Sequence, residues 1–126
     1  MGYAPSPRPT FDRATHIPYD QVTRHLWGDD EVGRVDDWIY VSSNKIHQLV
    51  FGLPPGGAFR HSEQFRTVFG ADEVLYDLSG TYGSVNPETG EMQVAQKGEA
   101  IFFRRDTWHQ GFSLGTEELR VLEYFA

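Results

Sequence analysis

Apolar and aromatic residues fall in short runs along this chain, each closed by a turn signal, and no long stretch repeats them every 3.6 residues. WIYVSS (38–43) and IHQLVFGL (46–53) are rich in β-branched and aromatic residues and stop at Pro54-Pro55-Gly56-Gly57, so both read as strands. AFRHSEQF (58–65), DEVLYDLSG (72–80), TYGSV (81–85), EMQVAQ (91–96), EAIFF (99–103), WHQGFSL (108–114) and LRVLEYFA (119–126) continue the series. Asn86-Pro87-Glu88-Thr89-Gly90 is a hairpin turn, and Gly80 and Gly98 mark two more. Strands recurring roughly every 8–12 residues predict an all-β sandwich or barrel.

The first 18 residues break this pattern. They hold four of the seven prolines (Pro5, Pro7, Pro9 and Pro18), which fix φ and lack an N–H. Residues 1–18 are therefore predicted to form an extended arm, and 19–126 a single barrel domain with its core at about 46–125. The acidic stretch Asp29-Asp30-Glu31 with Asp36-Asp37 is predicted to be a solvated loop.

Composition narrows the chemistry by exclusion. With 126 residues the chain has room for one domain. Without cysteine it has no disulfide, thiol nucleophile or thiolate-held metal, so any metal must sit on His, Asp or Glu. A net charge of -7 argues against nucleic acid and against a basic membrane-surface role. No apolar run is long enough to span a bilayer, and the first residues have no apolar core of a signal peptide, which predicts a cytoplasmic protein.

The ionisable residues then sort by strand parity, since residues two apart face the same side. His61 and Glu63 share a face with Phe59. Glu73 shares one with Leu75 and Asp77, and His109 shares one with Gly111 and Ser113. Two imidazoles and a carboxylate converging inside a barrel suit a divalent metal and leave positions open for substrate or O₂. His47 lies on a strand face with Lys45, Leu49 and Phe51, as a structural histidine or as a cavity ligand or acid/base. His16 and His25 are predicted to lie at the surface, and Tyr76, Tyr82 and Trp108 to pack in the barrel wall.

The region from about 46 to 125 resembles a cupin, a small jelly-roll barrel. The second cupin motif is Gly, five residues, Pro, one residue, Gly, two residues, His, three residues, Asn. Gly98 and His109 keep that spacing, with Arg104, Asp106 and Ser113 at the Pro, second Gly and Asn places. The first motif is His-x-His, three or four residues, Glu, six residues, Gly. His61-Ser62-Glu63 stands at its start, and Glu73 with Gly80 keeps the six-residue gap. Pro54-Pro55-Gly56-Gly57 matches the turn that leads in. Glu63 replaces the second His, and nine residues separate it from Glu73, which implies a wider hairpin loop over about 65–71.

Carried over residue by residue, the resemblance implies His61, Glu73 and His109 as metal ligands. Glu63 is then either a fourth ligand or a general acid/base, with His47 as the other catalytic candidate. Such a set suits Fe²⁺, Mn²⁺ or Zn²⁺ over copper. Phe59, Arg104 and Ser113 are candidate cavity residues. Arg104 and Arg105 stand where a cupin cavity rim often lies, to clamp a substrate carboxylate or to pair with Asp106 in a solvated turn.

The resemblance implies three functions in descending order: a non-haem metal oxygenase acting on a small, possibly aromatic or enolic molecule; a non-oxidative cyclase, isomerase or lyase using the metal with Glu63 or His47; and a non-catalytic small-molecule binder. It also implies a homodimer formed through edge strands and the arm.

Overall fold

The computed structural model describes residues 8–30, 33–60 and 70–126. Among these, a single 3₁₀ turn (Tyr19–Gln21) precedes ten strands: β1 (Thr23–Asp29), β2 (Gly33–Ser42), β3 (His47–Leu53), β4 (Ala58–Phe59), β5 (Glu73–Ser79), β6 (Tyr82–Val85), β7 (Met92–Ala95), β8 (Ala100–Phe103), β9 (Gln110–Ser113) and β10 (Leu119–Phe125). One sheet has the order β1-β2-β3-β10-β5-β8 and the other β4-β9-β6-β7. The pairings within them are antiparallel. The last strand thus lies mid-sheet, between β3 and β5, as expected of a jelly roll in which neighbours in space are distant in sequence.

Alternation explains how the strands build one interior. Along β5, Glu73, Leu75 and Asp77 are buried while Val74, Tyr76 and Leu78 are exposed, and β10 repeats the pattern with Leu119, Val121, Glu123 and Phe125 inward. The register aligns these inward residues in rows across the larger sheet. One row runs Ser42, His47, Phe125, Glu73, Phe103. The next runs Ile39, Leu49, Glu123, Leu75, Ile101, and a third runs His25, Asp37, Phe51, Val121, Asp77. Phe59, Tyr82 and Ala95 from the smaller sheet meet Leu53, Leu75, Leu119 and Val121 in the apolar core. Trp27 stacks on Phe59 with ring centroids 4.1 Å apart, tying the β1–β2 hairpin to the smaller sheet. That approach is tight. A Cβ on Gly33, at φ +95°, would collide with the carbonyl oxygen of Ala58.

Nine of the sequence-predicted segments coincide with strands, and the differences have physical reasons. The acidic stretch is not wholly a loop: Asp36 and Asp37 lie on β2, and Asp37 shares the inward row of Phe51 and Val121. The charge run masked a strand whose parity is carried by Val35, Asp37 and Ile39. His25, expected at the surface, is half-buried on β1 opposite Asp37, with its Nε2 enclosed. Of AFRHSEQF only Ala58–Phe59 is strand among the described residues. Residues 61–65 of that segment lie outside the described residues, as does most of the loop expected over 65–71. In the described part of the arm, the carbonyl of Pro9 accepts a hydrogen bond from the Ser42 N–H at 2.7 Å.

Leu119 is fully buried where β10 meets the core. Truncating it removes packing contacts that the sheets cannot close over, so Leu119→Ala is expected to lower unfolding free energy by about 2–5 kcal/mol in urea denaturation. A loss under about 1 kcal/mol would mean that the core is not seated on β10.

Candidate metal centre

Two of the predicted ligands come together. Glu73 opens β5 facing inward, 2% exposed, and His109 precedes β9 facing the same interior, 4% exposed. Nε2 of His109 lies 3.3 Å from Oε1 of Glu73. Phe103 stacks on the imidazole with centroids 4.0 Å apart and planes 10° apart, which fixes the ring. The other ring nitrogen, Nδ1, lies 3.2 Å from the carbonyl oxygen of Thr107. A carbonyl can only accept, so Nδ1 carries the hydrogen and donates it, and Nε2 is left with a lone pair.

That nitrogen lies next to a carboxylate oxygen. Burial pushes His109 down to about 4, against the Thr107 carbonyl, which favours the charged form. The ring is therefore neutral at pH 7, and the 3.3 Å approach brings two acceptors together. Such a contact is stable only with a positive charge or a proton between them. Among the described residues neither oxygen of Glu73 has an N–H or hydroxyl donor in hydrogen-bonding geometry. Glu123 on β10 faces the same interior, in the row next to that of Glu73. Burial raises Glu73 to about 7, and burial also raises Glu123, with the charge of Glu73 adding to it. Tyr82, buried across the barrel, is kept neutral by burial and by both carboxylates.

These groups fit a divalent cation. Imidazole nitrogen and carboxylate oxygen are borderline-hard donors of the Fe²⁺, Mn²⁺ and Zn²⁺ class, and adjacent ligands on one ion, each about 2.1 Å from it, lie about 3.0–3.4 Å apart. The hydrogen bond from Nδ1 to a backbone carbonyl is the usual support of a ligating histidine. Among the described residues no three His, Asp or Glu side chains form a ligand group. His61 and Glu63, the other two predicted ligands, lie outside the described residues.

The other candidates are placed as follows. His47 is half-buried in the row of Glu73, with Nδ1 2.9 Å from Ser42 Oγ and its ring tilted against Phe125. Burial and, secondarily, the charge of Arg8 lower its pKa. Phe59 packs in the core against Trp27. Ser113 faces inward on β9, its Oγ buried and without a hydrogen-bond partner among the described residues. Arg104 is exposed on the turn after β8, as is Arg105, whose N–H donates to Asp72.

Sequence reasoning missed Glu123 and Asp37. Both had a signal: an acid at the inward parity of an apolar strand, between Val121 and Phe125 in one case and between Val35 and Ile39 in the other. Asp37 is raised to about 8, first by burial, then by the charges of Glu123 and Asp36.

No family model matches the chain, and no curated protein matches it. Solved structures do match. A predicted oxalate decarboxylase from Thermotoga maritima aligns with a TM-score of 0.71 at 19% identity, covering 88% of this chain and 97% of that one. A structure of Fe(II)-HppE with an alternative substrate aligns at 0.72 and 14% identity, covering 91% of this chain and 61% of that one. The polyketide cyclase RemF from Streptomyces resistomycificus aligns at 0.67 and 18% identity, covering 90% and 79%. Cupin domains are among the further matches. The fold is thus the all-β cupin jelly roll that the sequence motifs implied. No helix among the described residues is long and apolar enough to cross a membrane.

The burial of Asp37 has a pH signature. Its carboxyl titrates near 3.8 when unfolded and near 8 in the fold. A group raised on folding contributes stability that is complete below its unfolded value and is lost as pH rises through its folded value. Asp37→Asn is therefore expected to match wild type in Tm near pH 4 and to exceed it increasingly up to pH 8, with no further change above. A gap independent of pH between 4 and 8 would show that Asp37 is not buried as an acid.

Proposed function

We propose that the chain is a metal-dependent enzyme acting on a small organic molecule, specifically a mononuclear non-haem oxygenase. The observation that carries this reading is the approach of His109 Nε2 to Oε1 of Glu73, 3.3 Å apart inside the barrel, two donors of the kind that hold a divalent cation. His61, His109 and Glu73 would hold the ion, with Glu63 as a fourth ligand or as an acid/base. Two histidines and one carboxylate are the donor set of non-haem iron oxygenases. The bound ion would supply Lewis acidity and a place for a chelating enol, catechol or hydroxy-ketone beside O₂. The chain's own residues do the rest: Phe103 and the Thr107 carbonyl orient His109, and the aromatic interior from Phe51 to Tyr82 excludes water and favours a flat substrate. The metal of the Fe(II)-HppE neighbour is in keeping with this choice.

One observation favours a second reading, a non-oxidative cyclase, isomerase or lyase. His47 is kept neutral in the row of Glu73, where it would serve as a base toward a bound carbonyl compound. The polyketide cyclase neighbour has the same fold. A homodimer completes the proposal. The outer faces of β5, β8 and β10 expose Val74, Tyr76, Phe102 and Tyr124 side by side without a charge between them, where two chains can meet without like charges at the contact.

The wild-type protein loaded anaerobically with Fe²⁺ is expected to bind about one ion per chain, and His109→Ala to lose at least about ten-fold in affinity. Oxygen consumption with catechol or diketone substrates then separates the readings. Uptake that requires Fe²⁺ supports the oxygenase. Substrate turnover without O₂ that falls in His47→Ala, with metal retained, supports the second reading. A protein that takes up no divalent metal contradicts both. Light scattering at twice the chain mass would support the dimer, and a monomer would refute it.

A further inference from the structure

The inward row Ser42, His47, Phe125, Glu73 owes its first member to a break in register. Along β2, Val35, Asp37 and Ile39 face inward, and plain alternation would continue to Val41. Tyr40 is instead an extra residue between the pairs Ile39↔Leu49 and Val41↔Gln48, so the parity changes and Ser42 turns inward opposite His47. Ser42 is buried, and its Oγ lies 2.9 Å from Nδ1 of His47. Its N–H donates to the carbonyl of Pro9 at 2.7 Å, which docks the arm at this end of the barrel. That bond brings the preceding residue, Arg8, to the turn between β2 and β3, where its Nη2 lies 3.4 Å from Oδ1 of Asn44. The guanidinium is exposed, and among the described residues no carboxylate lies within ion-pair distance of it. Its charge acts on His47, second to burial, against the imidazolium.

The row therefore has two polar ends and an apolar middle. Arg8, Ser42 and His47 stand at one end. Glu73 stands at the other, two strand spacings or about 10 Å from His47. Phe125 lies between them, its ring centroid 5.0 Å from that of His47. A guanidinium takes a carboxylate through two parallel hydrogen bonds, and a flat ring packs well on a phenylalanine. We propose that this row selects a flat organic acid: Arg8 takes the substrate's carboxylate beside Ser42 and His47, Phe125 underlies the ring, and chelating oxygens at the far end meet the ion on Glu73 and His109. This names the substrate class of the metal site and rests on the metal reading above. The arm is then part of the binding site, and Arg8 is its specificity-determining residue. In a chain of net charge -7, it also supplies the local positive charge that an anionic substrate needs in order to approach.

The test is calorimetry on the full chain loaded with Zn²⁺, which has no redox chemistry of its own. The probes are protocatechuate, a catechol ring bearing a carboxylate, and its neutral amide. Wild type should bind the acid at least about ten-fold more tightly than the amide. R8A should lose that preference, weakening the acid by at least about ten-fold and the amide by less than about three-fold. R8K should recover only part of it, because an ammonium cannot make the paired bonds. R13A removes another exposed arginine of the arm and should match wild type, which separates a site at Arg8 from an effect of net charge. Zn²⁺ affinity should be the same in wild type and R8A. A preference for the acid that survives in R8A overturns the proposal, as does an equal loss of both probes in R8A, or the same loss in R13A. Wild type that takes up no Zn²⁺ overturns the metal reading and this inference with it. Wild type that takes up Zn²⁺ and binds both probes equally, or neither, overturns this inference alone.

Discussion

The barrel interior buries two carboxyls and an imidazole, with no lysine or arginine among the described buried residues. Glu73, Glu123 and His109 each lose solvation on burial. Apolar residues of the same size would make a more stable barrel. Retaining these groups is consistent with a role other than stability, and the acceptor-to-acceptor approach of Nε2 and Oε1 sets what that role requires. Everything around it serves to hold that arrangement. Phe103 fixes the imidazole plane, the Thr107 carbonyl fixes its tautomer, and the register of β5 with β10 brings Glu123 beside Glu73.

The fold allows this because its rows are built from strands remote in sequence. Glu73 lies on β5 and Glu123 on β10, and the two strands pair only because the chain's last strand returns to the middle of the larger sheet. His109 comes from the loop entering β9, on the opposing sheet. A mid-sheet position also protects the pair, since β10 is hydrogen-bonded on both sides and cannot fray as an edge would. The core residues Leu75, Leu119 and Val121 lie on the same strands, so packing and site geometry share one register. A slip of one residue in β10 would turn Glu123 outward and Tyr124 inward.

Much of this was legible in the sequence, and the reason is parity. Glu73 and His109 could be assigned to the interior because strand alternation leaves little choice once turns such as 86–90 and Gly98 fix where strands end. The cupin motif spacing located the same two residues from a different direction. Where parity was not followed, the reading failed. Asp37 was grouped with its acidic neighbours as surface, although Val35 and Ile39 place it inward, and His25 was left outside because β1 has no apolar run to announce it. Glu123 was hidden differently. LRVLEYFA is plainly a strand, but its partner is set by long-range topology that local pattern does not encode. His61 and Glu63, on which the sequence motif leaned most, lie outside the described residues and keep the standing of expectations.

The central claim is that a divalent ion belongs between His109 and Glu73. Anomalous X-ray diffraction from crystals of the protein loaded with Mn²⁺ tests it most directly. The account predicts a single strong anomalous peak within about 2.3 Å of His109 Nε2 and of a Glu73 carboxylate oxygen. A peak elsewhere on the chain, or none inside the barrel at full Mn²⁺ loading, would contradict it.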